Sequence, residues 1–115
     1  MKLSKAVKKG VQIGKENGIT HGRGDYYKYK NGKICKACLW GFAHMGMLGK
    51  VPENGNVCSI EAQFTTNFNA CLTNKAKALG VINRTDNVVA TSIVLNDKTD
   101  KSIEEIIEIL EECGL

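Results

Sequence analysis

The chain has 115 residues, 43 % hydrophobic and 24 % charged, with a formal net charge of +4. That is the length and composition of one ordinary folded domain, residues 1–115, and it excludes wholesale disorder. No stretch approaches the ~20 apolar residues of a membrane-spanning helix, and the basic start carries no apolar run of signal-peptide length, so no membrane partner is expected.

Residues 2–16 read as a first helix. Leu3, Ala6, Val7, Gly10 and Gly14 keep helical spacing, and Lys2, Lys5, Lys8 and Lys9 cover much of the rest. Two glycines four apart weaken a helix but let another element approach closely. Asn17-Gly18 ends it, and the next stretch, ITHGRGD, is loop. His21 in that loop is expected at the surface. Its glycines are not a phosphate-binding loop, because the Gly-Lys-Ser/Thr ending is missing. The Arg23-Gly24-Asp25 triplet matches an integrin ligand only by coincidence.

Residues 26–35, YYKYKNGKIC, are the best hairpin signal. Tyr-Tyr-Lys-Tyr has strand chemistry, Asn31-Gly32 suits a type I′ turn, and Lys33-Ile34 forms a short return arm. Residues 34–48 then read as a central helix, apolar nearly all round. Cys35, Cys38, Leu39, Phe42, Met45 and Gly46 fall on one side, and Lys36, Trp40, His44 and Met47 on the other. Residues 51–56 are turn-rich. A third helix starts at an N-cap, Ser59, and buries Ile60, Phe64, Phe68, Cys71, Leu72 and Leu79, with a kink or break expected between Thr65 and Asn69.

Residues 85–95 suit a strand by residue type and a short helix by their caps; helix is favoured, capped at Thr85 or Asp86, with Asn96-Asp97-Lys98 as a turn. The last helix is the plainest. Ser102 and Glu105 form a capping box; Ile103, Ile106, Ile107, Leu110 and Cys113 form the apolar stripe; five glutamates form the wet face. The fold expected is mainly α (α+β): a compact bundle of about four to five helices around a central helix, with one small β-hairpin.

From Gly32 and Cys35, through the helix ACLWGFAHM and a less regular middle helix, to Asn96-Asp97, Thr99 and the Ser102-capped terminal helix, the chain resembles a family of small bacterial and phage proteins of unknown function. The likeness covers about residues 32–112. It implies an architecture and a phage or mobile-element setting; it implies no activity.

Cys35-x-x-Cys38 admits three readings: core thiols one helical turn apart, half of a metal site, or a redox pair. Cys58, Cys71, His44 and His21 are the only further ligands and no second Cys-x-x-Cys exists, so the core reading is preferred and no metal or cofactor is expected. The five cysteines are an odd number, which argues against a closed disulfide framework and for reduced thiols in a cytoplasmic protein.

Trp40 and His44, one turn apart, with Asn96 and Asp97 are the ligand-binding candidates. The plainer readings are a packing histidine and an Asx-type turn. Residues 1–50 hold eleven Lys and Arg against Glu16 and Asp25, while residues 51–115 hold five against ten acids. Arg23, Tyr27, Lys28, Tyr29, Lys30 and Lys33 are therefore nucleic-acid candidates, with aromatics for stacking beside lysines for phosphate. A ribbon with tyrosines on one side and lysines on the other makes the same string.

No nucleophile–base pair, paired catalytic carboxylates or full metal set is recognisable. The reading is a small non-catalytic binding or regulatory accessory protein with a protein partner or small ligand. Nucleic-acid binding by the Tyr/Lys hairpin is the alternative, and a thiol- or metal-dependent enzyme is a remoter third. Nothing in the sequence fixes the oligomeric state.

Overall fold

Helix α1 (Leu3–Glu16) buries Leu3, Ala6, Val7, Gly10, Val11 and Gly14 and turns its lysines outward, as its spacing requires. The computed structural model describes residues 1–53 and 58–115, with Cys58 and Ser59 by backbone alone. Of the turn-rich stretch expected at 51–56, residues 54–56 lie outside what is described; Ser59, expected as an N-cap, is the second residue of a short helix, Cys58–Glu61.

Three strands follow: β1 (Thr20–His21), β2 (Tyr27–Lys30) and β3 (Lys33–Ala37), in the order β1-β3-β2. The hairpin turn is where the sequence puts it. Asn31 and Gly32 both take positive φ, 54° and 77°, the pair a type I′ turn needs. The return arm is longer than expected. It takes in Ile34, Cys35, Lys36 and Ala37, which the apolar pattern assigned to the central helix. The reason is tertiary: β3 is the middle strand, antiparallel to β2 and parallel to β1, so its backbone groups are used on both edges. Cys35 and Cys38 are consequently not one helical turn apart.

The central helix is α2 (Leu39–Leu48), and everything from Leu39 to Met45 is at most 7 % exposed where a side chain exists. It packs antiparallel on α1. A Cβ on Gly10 would strike the Phe42 carbonyl, and one on Gly46 would strike the Ala6 carbonyl, so the two backbones touch where neither helix has a side chain. The expectation that α1's glycines admit a neighbour is met, and α2 supplies the matching gap.

Beyond α2 lie α3 (Cys58–Glu61) and α4 (Ala70–Ala78), separated by the break expected in the middle of the third helix. Asn69 caps α4 by accepting from Leu72 N at 2.9 Å, and its Nδ2 donates to Cys113 O at 2.9 Å. Helix α5 (Val88–Lys98) is the helix favoured for this region, but its cap is Asn87, accepting from Ala90 N at 2.8 Å. It runs through Asn96 and Asp97, which are its last turn and not a separate turn. Helix α6 (Ile103–Glu112) has the expected capping box and buries Ile103, Ile106, Ile107 and Leu110. The result is the mainly α, α+β bundle expected, with a three-stranded sheet in place of a bare hairpin.

Cys71 and Cys113 form a disulfide, their Cα atoms 5.3 Å apart. This corrects the expectation of reduced thiols throughout. An odd cysteine count says nothing about which two the fold brings together. Here the start of α4 and the end of α6 meet. No helix among the described residues is long and apolar enough to cross a membrane.

Candidate functional site

Asn96 is 1 % exposed and sits in the last turn of α5, against the start of α2 and the 22–26 loop. Its Oδ1 accepts from Leu39 N at 3.1 Å and faces His21 Nε2 at 2.7 Å. Its Nδ2 donates to Gly22 O at 3.2 Å and to Asp97 Oδ1 at 2.8 Å. Asp97 Oδ1 also accepts from Gly24 N at 2.9 Å. One amide thus ties β1, the loop and α2 to α5. It also supplies α2 with a cap from outside the helix, since the N-cap residue Cys38 makes no side-chain cap hydrogen bond.

The Leu39 N–H fixes which end of the Asn96 amide is the oxygen. His21 Nε2 must therefore carry a proton and donate. Burial, the largest cause, lowers the His21 pKa; the Asn96 hydrogen bond opposes this and the nearby Arg23 adds to it. The neutral ring keeps Nδ1 as an acceptor. His21, expected at the surface, is half-buried in this network.

The glycine-rich loop is held from two sides. Arg23 donates from Nε to Thr99 O at 2.9 Å and from Nη2 to Lys101 O at 2.6 Å, which anchors it to the α5–α6 corner. Its guanidinium is thereby committed to backbone carbonyls and not presented to a polyanion.

Between the loop, α2 and α5 lies a cavity of about 310 Å³, lined by Asp25, Tyr26, Cys38, Trp40, Ile93 and Asp97 together with Gly24 and Asn96. Three of the four ligand-binding candidates, Trp40, Asn96 and Asp97, meet here. Trp40 is fully buried and donates from Nε1 to Ser92 Oγ at 3.0 Å. The fourth, His44, does not line this cavity. Its Nδ1 lies 2.9 Å from Tyr27 Oη, which donates to Gly41 O at 2.9 Å, so His44 Nδ1 is the donor in the pair. Burial lowers its pKa, and it acts as a satisfied packing residue.

Asp97 Oδ2 accepts nothing from the described residues, and no Lys, Arg or His side chain is among the described lining residues. Burial pushes the Cys38 thiol up to about 11, with the Gly41 and Trp40 amides opposing. It is a neutral thiol at pH 7 and a poor nucleophile. Cys35 is half-buried on β3. Among the described residues no three His, Cys, Asp or Glu side chains are grouped to hold a metal.

The nucleic-acid candidates separate. Tyr27 is 7 % exposed and hydrogen-bonded inside. Tyr29 is exposed but pairs with Ile34 on the ribbon's inner face. Lys28, Lys30 and Lys33 are exposed on the outer face. The sequence named Trp40, Asn96 and Asp97 for this site; it weighed Cys38 only as a core, metal or redox thiol and His21 as a surface residue, and it gave Ile93 no role here. The glycine-rich loop was the only available sign that a segment near residue 22 packs against something close.

No family model, no curated protein and no solved structure matches this chain.

Proposed function

We propose that the protein is a small non-catalytic binding module whose ligand seat is the Trp40–Asn96–Asp97 cavity. The observation that carries this is convergence. Residues 56 positions apart, Trp40 and Asn96, line one cavity whose polar walls are held by buried hydrogen bonds. A preformed pocket with a few fixed polar groups is the usual form of a small-molecule site. Two carboxylates, Asp25 and Asp97, beside the half-buried Tyr26, with no cation among the described lining residues, favour a small organic ammonium with an apolar body against Ile93. The neutral Cys38 and packed His44 support a binding role over a thiol- or histidine-dependent reaction.

The test is a titration of isotope-labelled protein with arylalkyl primary amines, read by amide and indole chemical shifts. Shifts clustered at Gly24, Trp40 and Asn96, abolished by Ile93→Trp, support the reading. Unmoved signals at millimolar amine, or shifts indifferent to Ile93→Trp, refute it.

An accessory or regulatory role in a phage or mobile-element setting rests on the resemblance of residues 32–112 alone. A cytoplasmic location rests on the sequence and has to accommodate the Cys71–Cys113 disulfide, a bond rare in that compartment. Alkylating native cells before lysis and mapping both cysteines by mass decides between the two.

A further inference from the structure

The outer face of the hairpin carries an arrangement the fold does not need. Lys28 stands directly opposite Lys36, and Lys30 directly opposite Lys33. Like charges opposite one another across two strands destabilise the pair. Strict alternation would send Lys33 and Lys36, three residues apart, to opposite faces. The register slips between Lys28 and Tyr29, so β3 carries one extra residue, Cys35, and both lysines emerge on the same side. All four are exposed, and none makes an ion pair within 4.0 Å with a described residue. The Lys36 stem lies over Gly22, where a Cβ would come within 3.0 Å of it. Strand geometry sets the four side chains on a lattice of about 7 Å along the ribbon and about 5 Å across it.

A bulge that gathers four unpaired cations onto one face is disadvantageous to folding and suited to a partner with closely spaced negative charges. We infer that this face, Lys28, Lys30, Lys33 and Lys36, binds the phosphate backbone of double-stranded nucleic acid without reading sequence. The tyrosines decide against a single strand. Tyr27 is buried and Tyr29 points from the opposite face, so no aromatic platform lies among the lysines for unstacked bases. This surface is separate from the cavity and does not depend on it.

The experiment is fluorescence anisotropy with a labelled ~20-bp DNA duplex from ~50 to ~200 mM salt. Four phosphate contacts predict a log–log salt slope of about −3.6, a loss of roughly 100-fold over that range. The variant Lys28→Gln/Lys30→Gln/Lys33→Gln/Lys36→Gln should bind at least about 30-fold more weakly at ~50 mM salt. Its thermal midpoint should be equal or higher, because the like-charge pairs are gone. A control with the same charge loss elsewhere, Lys5→Gln/Lys9→Gln/Lys15→Gln/Lys50→Gln, should keep the duplex affinity within about threefold. Equal losses in the two variants, preference for the single strand, binding to phosphatidylserine vesicles but not the duplex, or no duplex binding at ~50 mM salt would each overturn the inference.

Discussion

Replacing Asn96 by alanine removes one side chain and leaves two backbone groups without partners: the Leu39 N–H at the start of α2 and the Gly22 carbonyl in the loop. Leu39 is fully buried and Gly22 is buried, so neither group gains ready access to water. Each orphaned group costs about 1–3 kcal/mol. His21 loses its acceptor as well. The sum is about 2–6 kcal/mol, or roughly an 8–24 °C drop in Tm at the ~4 °C per kcal/mol expected for this size. Urea unfolding followed by circular dichroism and Trp40 fluorescence measures it. Asn96→Asp sharpens the test. It keeps the acceptor for Leu39 and His21, loses both donated bonds, and puts a second carboxylate beside Asp97. Burial and that neighbour raise its folded pKa above the unfolded value, so its penalty is full at neutral pH and is relieved as pH falls through the folded pKa. An alanine variant within about 1 kcal/mol of the parent would refute the reasoning, because a buried hub cannot be so cheaply removed.

Gly10→Ala and Gly46→Ala should each destabilise by at least about 2 kcal/mol, although alanine in a helix interior ordinarily gains about 1 kcal/mol over glycine; denaturant midpoints with unchanged m-values check this. Reducing Cys71–Cys113, or replacing both by serine, should lower stability by about 2–4 kcal/mol, read the same way with and without reductant. His21 and His44 both titrate below their ordinary 6.5 in the folded state. The unfolded chain therefore takes up protons first as pH drops. Stability is full above 6.5 and falls through the window between that value and the lower folded pKa values; His21→Gln, which can still donate to Asn96, should remove part of the fall. In native protein, alkylation mapped by mass should modify half-buried Cys35 well before Cys38, whose thiol is buried and lifted to about 11.

What the sequence disclosed follows from how locally each feature is determined. The capping box of α6 and the Asn31-Gly32 turn are decided within a few residues, and both are found at the expected places. The start of α2 was misread because Ile34, Cys35 and Ala37 are apolar in either conformation. Only pairing with β1 and β2 makes them a strand, and β1 is two residues long. Trp40 and Asn96-Asp97 stood out by composition. The role of Asn96 did not, because its partners, Leu39 N and Gly22 O, are backbone groups with no sequence signature. Lys36 was left out of the basic candidates for the same reason: only the register slip moves it beside Lys28.

The most direct measurement is an electron-density map of crystals soaked in an arylalkyl primary amine. The ammonium is expected at Asp97 Oδ2, with the apolar body against Ile93. An empty cavity under saturating amine, or the amine seated elsewhere on the molecule, would contradict it.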